Sequence, residues 1–191
     1  MNDDERLAFR FHGGDTWLNL LATRGRSFSA QPVERLTTPE RLREWLDRSE
    51  LAPALPPQAA DLDRARALRE TLRALALATA SGQPPPPEAT ADLAAFLTDQ
   101  PDPVHLVAGE RLLRELPPTT GAALARIARQ AVDHLTGPGR HALTICAEHD
   151  CHWVFADPTG RRRWCPEPAC ASRGRVRALR ARRRSTAPDH P

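Results

Sequence analysis

The chain contains no lysine and no tyrosine, one methionine and only four cysteines in 191 residues. All 27 basic residues are arginine, so a preference for arginine over lysine carries no functional message. It belongs with the abundant alanine and proline, as a bias of genome composition. Long apolar runs are missing too: the longest candidate, Ala74 to Ala80, is far short of the ~20 residues that a membrane span requires. The stretch Met1-Asn2-Asp3-Asp4-Glu5-Arg6 is acidic and lacks the apolar h-region of a signal peptide, so a soluble, cytoplasmic chain is expected. Signatures of catalysis are also lacking, with no glycine-rich phosphate cradle and no H-E-x-x-H. His12, Asp15 and Ser27 can be picked out as a trio, but such residues recur by chance in any chain of this length. His12 beside a glycine pair suits a turn, and His105 in an apolar run suits a strand surface. The expectation is a protein that is not an enzyme.

What is present is unevenly distributed. Residues 161 to 184 hold ten arginines against one acid, Glu167, for a net of +9, whereas residues 1 to 160 hold 17 arginines against 22 acids. A mildly acidic body with a strongly basic end is the asymmetry expected of a nucleic-acid contact. The length suits one medium domain plus a small module.

The four cysteines lie inside and just before that basic end. Cys146, Cys151, Cys165 and Cys170 are spaced C-x4-C-x13-C-x4-C, two equal pairs. Four soft thiolates satisfy Zn²⁺ tetrahedrally and leave no open position for chemistry, which makes such a site structural. Two disulfides, or four unrelated buried thiols, are the alternatives; disulfides need an oxidising compartment, which the N-terminus does not suggest. His149 and His152 stand near the first pair as substitute ligands, although four thiolates already complete a shell. A two-cysteine redox switch at Cys165 or Cys170, beside arginines that lower thiol pKa, is a further alternative that bound zinc would mask. From Cys146 to Arg184 there are 39 residues and few large apolar side chains. Segments this small rarely fold without a metal or disulfides, and zinc on four thiolates supplies ~10 to 16 kcal/mol of apparent stabilisation. The module is therefore expected to be disordered without zinc.

Along the chain, Leu7 to Phe11 alternates like a strand, and Gly13-Gly14 forces a turn. Asp15 is placed to cap a helix carrying Trp17, Leu18, Leu20 and Leu21 and ending near Gly25. Val33 to Leu36 reads as a short strand. Thr38-Pro39-Glu40 starts a helix to about Arg48 with Leu42, Trp45 and Leu46 as its apolar stripe. A long helix is predicted over about Ala59 to Ser81, stopped by Gly82, and another over Glu88 to Thr98 after the stiff Pro84 to Pro87 spacer. Val104 to Val107 and Arg111 to Leu116 read as a hairpin that pairs with the opening strand. Thr120 to Leu135 is helical, and Gly137-Pro138-Gly139 marks a domain boundary. Beyond it come strands at His141 to Ile145 and Trp153 to Phe155, and a basic helix from about Ser172 to Arg184. The fold class is α+β: a mostly helical N-terminal domain (1–137) with a small antiparallel sheet, a treble-clef-like or ribbon-like zinc module (141–184) ending in the basic helix, and a disordered tail (185–191).

Cys146-x4-Cys151, Val154-Phe155-Ala156-Asp157, Gly160-Arg161-Arg162-Arg163-Trp164-Cys165 and Cys170-Ala171-Ser172-Arg173 together resemble the CGNR-type zinc finger. Phe11-His12-Gly13-Gly14, Trp17-Leu18-Asn19-Leu20 with Thr23, and Leu36-Thr37-Thr38-Pro39-Glu40 to Trp45 resemble the ABATE domain that precedes it in bacterial proteins described as stress-induced transcription regulators. The resemblance implies zinc on the four cysteines, DNA binding through the finger and a regulatory role. One departure stands out: the family's C-G-N-R is Cys170-Ala171-Ser172-Arg173 here. Glycine and asparagine tolerate a left-handed backbone at which alanine costs ~1 to 2 kcal/mol.

For DNA contact the candidate residues are Arg161, Arg162, Arg163, Arg173, Arg175, Arg177, Arg180, Arg182, Arg183 and Arg184. On an ideal helix Arg173, Arg177, Arg180 and Arg184 share one face. Nonspecific nucleic-acid contact, and a protein-interaction or ligand-sensing role for the acidic body, are the competing expectations. The second would involve a homodimer or a small-molecule effector, for which no pocket residues can be named from sequence.

Overall fold

The computed structural model describes residues 3–185, and within them the side chains of 5–180 and 182. The expected tail falls almost entirely outside these residues, as do the side chains of Arg183 and Arg184.

Helix α1 (Asp3–Leu7) opens the described chain, and a segment without regular secondary structure follows it. This corrects the expected strand at Leu7 to Phe11. The alternation there is real, but among the described residues no strand pairs with it; Phe9 is instead buried, and Phe11 stacks on Trp45 at 6.3 Å between ring centres. Helix α2 (Thr16–Leu21) is shorter than predicted and is buried over almost its whole surface: Trp17, Leu18, Leu20 and Leu21 are all enclosed. Asp15 sits at its N-cap position without capping. Its carboxylate pairs with Nδ1 of His134 at 2.5 Å.

Two residues of β1 (Arg24–Gly25) pair antiparallel with β2 (Val33–Glu34). Helix α3 (Pro39–Arg48) starts where Thr38-Pro39 predicts, with the Thr38 hydroxyl accepting from the Arg41 amide at 3.3 Å. Helix α4 (Ala59–Ala80) is the central post, ending before Gly82, whose φ of +65° suits the glycine. Its apolar face buries Leu62, Ala65, Leu68, Leu72, Leu75 and Ala76. Two arginines go in with it: Arg69 forks onto Glu34 at 2.8 and 2.6 Å, and Arg73 donates to the Leu21 carbonyl at 2.9 Å. Helices α5 (Pro87–Asp99) and α6 (Thr120–Thr136) pack against α4.

Between α5 and α6, β3 (Leu106–Ala108) and β4 (Leu112–Arg114) form the predicted hairpin, but it pairs only with itself. With the opening segment not a strand, it has no third strand to join. Its side chains are exposed on both faces, and buried Asp102 ties its base to α6 through Arg114, Arg126 and Arg129.

After α6, residues Pro138–Ala142 form a 3-10 turn that leads into β5 (Leu143–Ile145), which pairs antiparallel with β6 (Val154–Ala156). Helix α7 (Pro168–Ser185) closes the described chain. The core is continuous from the helical body into this last segment: Trp153, Val154 and Phe155 lie in one buried cluster with Trp17, Leu20 and Leu72. Trp153 donates its indole N–H to the Leu18 carbonyl at 3.0 Å. Two glycines make room for this docking. A Cβ on Gly13 would meet the Trp153 ring at 2.8 Å, and Gly14, at φ +111°, lies against Ala156.

Candidate metal centre and basic surface

The β5–β6 register runs Leu143 opposite Ala156 to Ile145 opposite Val154, and the Cys146 amide continues it by donating to the Trp153 carbonyl at 2.9 Å. The first cysteine pair thus occupies the hairpin turn. That turn closes through the Cys151 and His152 amides on the Glu148 carbonyl, with His152 at φ +46°. Cys165 comes from the loop after β6, and Cys170 from the first turn of α7. Ligands from a hairpin turn and from a helix start correspond to the treble-clef-like alternative.

All four sulfurs are buried, lie within 4.8 Å of one another and form no disulfide. Mutual contact splits their acidities. Hydrogen bonding to Cys151 holds Cys146 down, while the contact with Cys146 drives Cys151 and Cys165 far up. Four charged thiolates at this spacing need a cation between them, and the donor set is soft and complete, so the residues fit zinc. Arg173 adds an N–H···S contact from Nη2 to Cys170 at 3.5 Å, a partner of the sort that steadies a thiolate ligand. Neither histidine belongs to the group. His149 faces Arg177 at 2.9 Å, and His152 lies against Phe28 with ring centres 4.9 Å apart.

Around the sulfurs is an ionic ring not anticipated from sequence. Glu148 and Asp150, inside the first C-x4-C, are both buried. Nη2 of Arg177 donates to both carboxylate oxygens of Glu148 at 2.9 and 2.6 Å, and Arg173 reaches Asp150 at 2.8 Å. Arg26 of the body also binds Asp150, at 3.2 Å. Two members of the expected DNA-facing row, Arg173 and Arg177, therefore turn their forks toward the hairpin turn. The available signal was the pair of acids between the cysteines, matched by arginines one helical turn apart.

The start of α7 settles what Ala171 and Ser172 do. Helix begins at Pro168, a favourable first position, rather than near Ser172, so both residues are helical. Neither has a positive φ, and the expected strain is absent. Gly174 is the glycine that matters here. A Cβ there would lie 2.5 Å from the Trp164 indole nitrogen, so the ring packs straight onto helix backbone.

The remaining candidates are displayed on this frame. Asp157 accepts from the Arg162 amide at 2.6 Å and the Thr159 hydroxyl at 2.7 Å, and the Arg162 bond first among them holds its carboxyl below the ordinary value. That clamp fixes the turn from which Arg161, Arg162 and Arg163 project, all exposed. Arg163 also lies over the Trp164 ring. Arg175, Arg180 and Arg182 are exposed on α7. Among the described residues no ion pair engages Arg161, Arg162, Arg163, Arg175 or Arg180. The trio His12, Asp15 and Ser27 is not joined by hydrogen bonds; Ser27 donates to the Arg24 carbonyl at 2.7 Å. No helix among the described residues is long and apolar enough to cross a membrane.

Comparison with known families agrees with this architecture. Residues 14–138 match the ABATE model, described as "Putative stress-induced transcription regulator", and residues 143–183 match the CGNR zinc finger. No curated protein matches the chain. The finger match and the four clustered cysteines make zinc the cofactor.

Proposed function

The chain belongs to the ABATE family, and from that membership we propose that it is a DNA-binding regulator, not an enzyme, whose contacts are made by arginines on the zinc module. The observation that carries this reading is the set Arg161, Arg162, Arg163, Arg175 and Arg180, exposed and free of ion pairs among the described residues. They stand on a clamped turn and a helix that share the cysteine frame, so the cations are held rather than trailing. Arg173 and Arg177 support the frame; Arg182, Arg183 and Arg184 extend the basic helix beyond it.

If about five arginines meet phosphates, log affinity falls with log salt at a slope of about −4 to −5. Selection from a random duplex pool, at two salt concentrations and with and without chelator, tests the reading. Enrichment of one motif that vanishes with chelator is the expected result; binding without salt dependence contradicts DNA contact, and binding without an enriched motif reduces it to nonspecific attachment.

Homodimerisation is the second reading, favoured by the β3–β4 hairpin, where Leu106 and Leu112 are 60% and 72% exposed on an element with free edges. Light scattering at two concentrations tests it, and a strictly monomeric protein contradicts it.

A further inference from the structure

We propose that the cavity between the helical body and the zinc module is a binding site for a small organic anion, a carboxylate or a phosphate monoester, whose charged group is met by Arg35. The cavity holds about 290 Å³ and is lined by Arg10, Arg24, Arg26, Arg35 and Arg173, with Glu167 as the one acid, over an apolar floor that includes Val33 and Trp153.

Arg35 is the reason to expect an occupant. It is 7% exposed, and its Nε is buried with no hydrogen-bond partner. Nη1 donates to the Ala22 carbonyl at 2.9 Å, but no carboxylate forms an ion pair with this guanidinium among the described residues. The space it fills exists because residue 25 is glycine: a Cβ there would lie 2.5 Å from Nη1. Burial, followed by the neighbouring charge of Arg10, pushes its pKa down to about 10, so it remains a cation at neutral pH. A buried cation with no counter-ion in direct contact is costly, and Glu167, Glu34 and Cys151 offset only part of that from a distance. An anion in the cavity removes that cost.

Neighbouring acids do not supply a direct partner, because each is shared, Glu34 among them with Arg69. Asp150 serves Arg26 and Arg173; Glu148 serves Arg173 and Arg177; Glu70 serves Arg24, Arg69 and Arg73. Glu167 pairs with Arg10. Cations outnumber acids around a cavity large enough for a compact ligand and too small for a dinucleotide. Its floor favours an anion with an apolar body over a bare inorganic ion. The walls come from both regions, since Cys151, Cys170 and Arg173 line it together with Ala22, Arg24 and Val33. An occupant therefore touches the body and the zinc frame at once, and its affinity is linked to any change in how they pack. As an anion site this stands apart from DNA binding; as an effector site it rests on the reading above.

The test uses the full zinc-loaded chain without DNA, so that its failure and failure of DNA binding are separate results. Benzoate, phenyl phosphate and inorganic phosphate are titrated by calorimetry at constant ionic strength. Saturable one-to-one binding of an organic probe is expected, tighter than inorganic phosphate by about fivefold or more. Arg35→Met should weaken it by about tenfold or more and, with the probe absent, leave the melting temperature unchanged or raised. No saturable binding of either organic probe, or unchanged affinity in Arg35→Met, overturns the site. Inorganic phosphate binding as tightly as phenyl phosphate overturns the organic ligand. Should Arg35→Met fail to fold, the Nε–H resonance of Arg35 in the wild-type protein decides: a shift on saturation supports the proposal and an unmoved signal contradicts it.

Discussion

The helical body and the zinc module are held together by different physics, and the border between the two kinds of stabilisation does not follow the chain boundary at Gly137. The body is an apolar assembly in which Trp17, Trp45, Leu72 and Ile127 are enclosed. Within the module, β5 and β6 share that assembly, with Phe155 fully buried and Trp153 bonded to the body's backbone. The loop from Arg161 and helix α7 join it only at the cysteines Cys165 and Cys170 and through the half-buried Trp164. Val176 and Leu179 on α7 are about half exposed, and what fixes the helix is Cys170, the Trp164 contact and the Arg173 and Arg177 ion pairs. Half of the module therefore belongs to the core, and the other half is expected to depend on the metal. The expectation that the entire module is disordered without zinc is accordingly narrowed to residues 161–185.

Phe155→Ala would strike the shared element. Truncating this enclosed ring is expected to destabilise the whole protein by about 3 to 5 kcal/mol, read by denaturant unfolding, with body and module losing stability together. Loss confined to the module would show that the core is not shared after all.

Arg173→Ala acts on the other half. Removing the N–H···S contact and the Asp150 pair should weaken zinc binding by about 10- to 100-fold, measured by chelator competition, with little change in unfolding of the body. Unchanged zinc affinity would mean that the ring around the sulfurs plays no part in holding metal.

Acidification gives the smallest separation. In Glu70, burial alone would raise the carboxyl pKa, but Arg73 and Arg69 outweigh it and the net displacement is downward. A folded-state pKa below the unfolded one gives stability that is present above the ordinary carboxylate range and is lost as pH falls below about 4.5. Thiolates exchange zinc for protons at higher pH than this. Circular dichroism followed down the pH scale should therefore show α7 lost before the body, and a single coincident transition would merge the two regions.

Much of this was legible in the residues. Thr38-Pro39 and Gly82 carry their own start and stop signals, so α3 and α4 fall where predicted. The cysteine spacing gave the metal cluster because ligand chemistry depends on residue type more than on context. What was hidden depends on partners distant in sequence. Leu7 to Phe11 has strand alternation but no neighbour to ladder with. Helix α7 begins four residues early because Pro168 suits a first turn, which also removes the difficulty at Ala171 and Ser172. Arg173 and Arg177 lie on one helix face as expected, but that face meets Glu148 and Asp150. Gly13-Gly14 signalled a turn; that it also seats Trp153 and Ala156 is visible only in three dimensions.

Amide hydrogen exchange on the full chain, with zinc and after chelation, tests the division most directly. Protection is expected to collapse across residues 161–185 while the amides of Val154 to Ala156 and of α4 keep theirs. Equal loss in β5–β6 and α7, or protection of α7 that chelation leaves intact, would contradict a module that is half core and half metal-held.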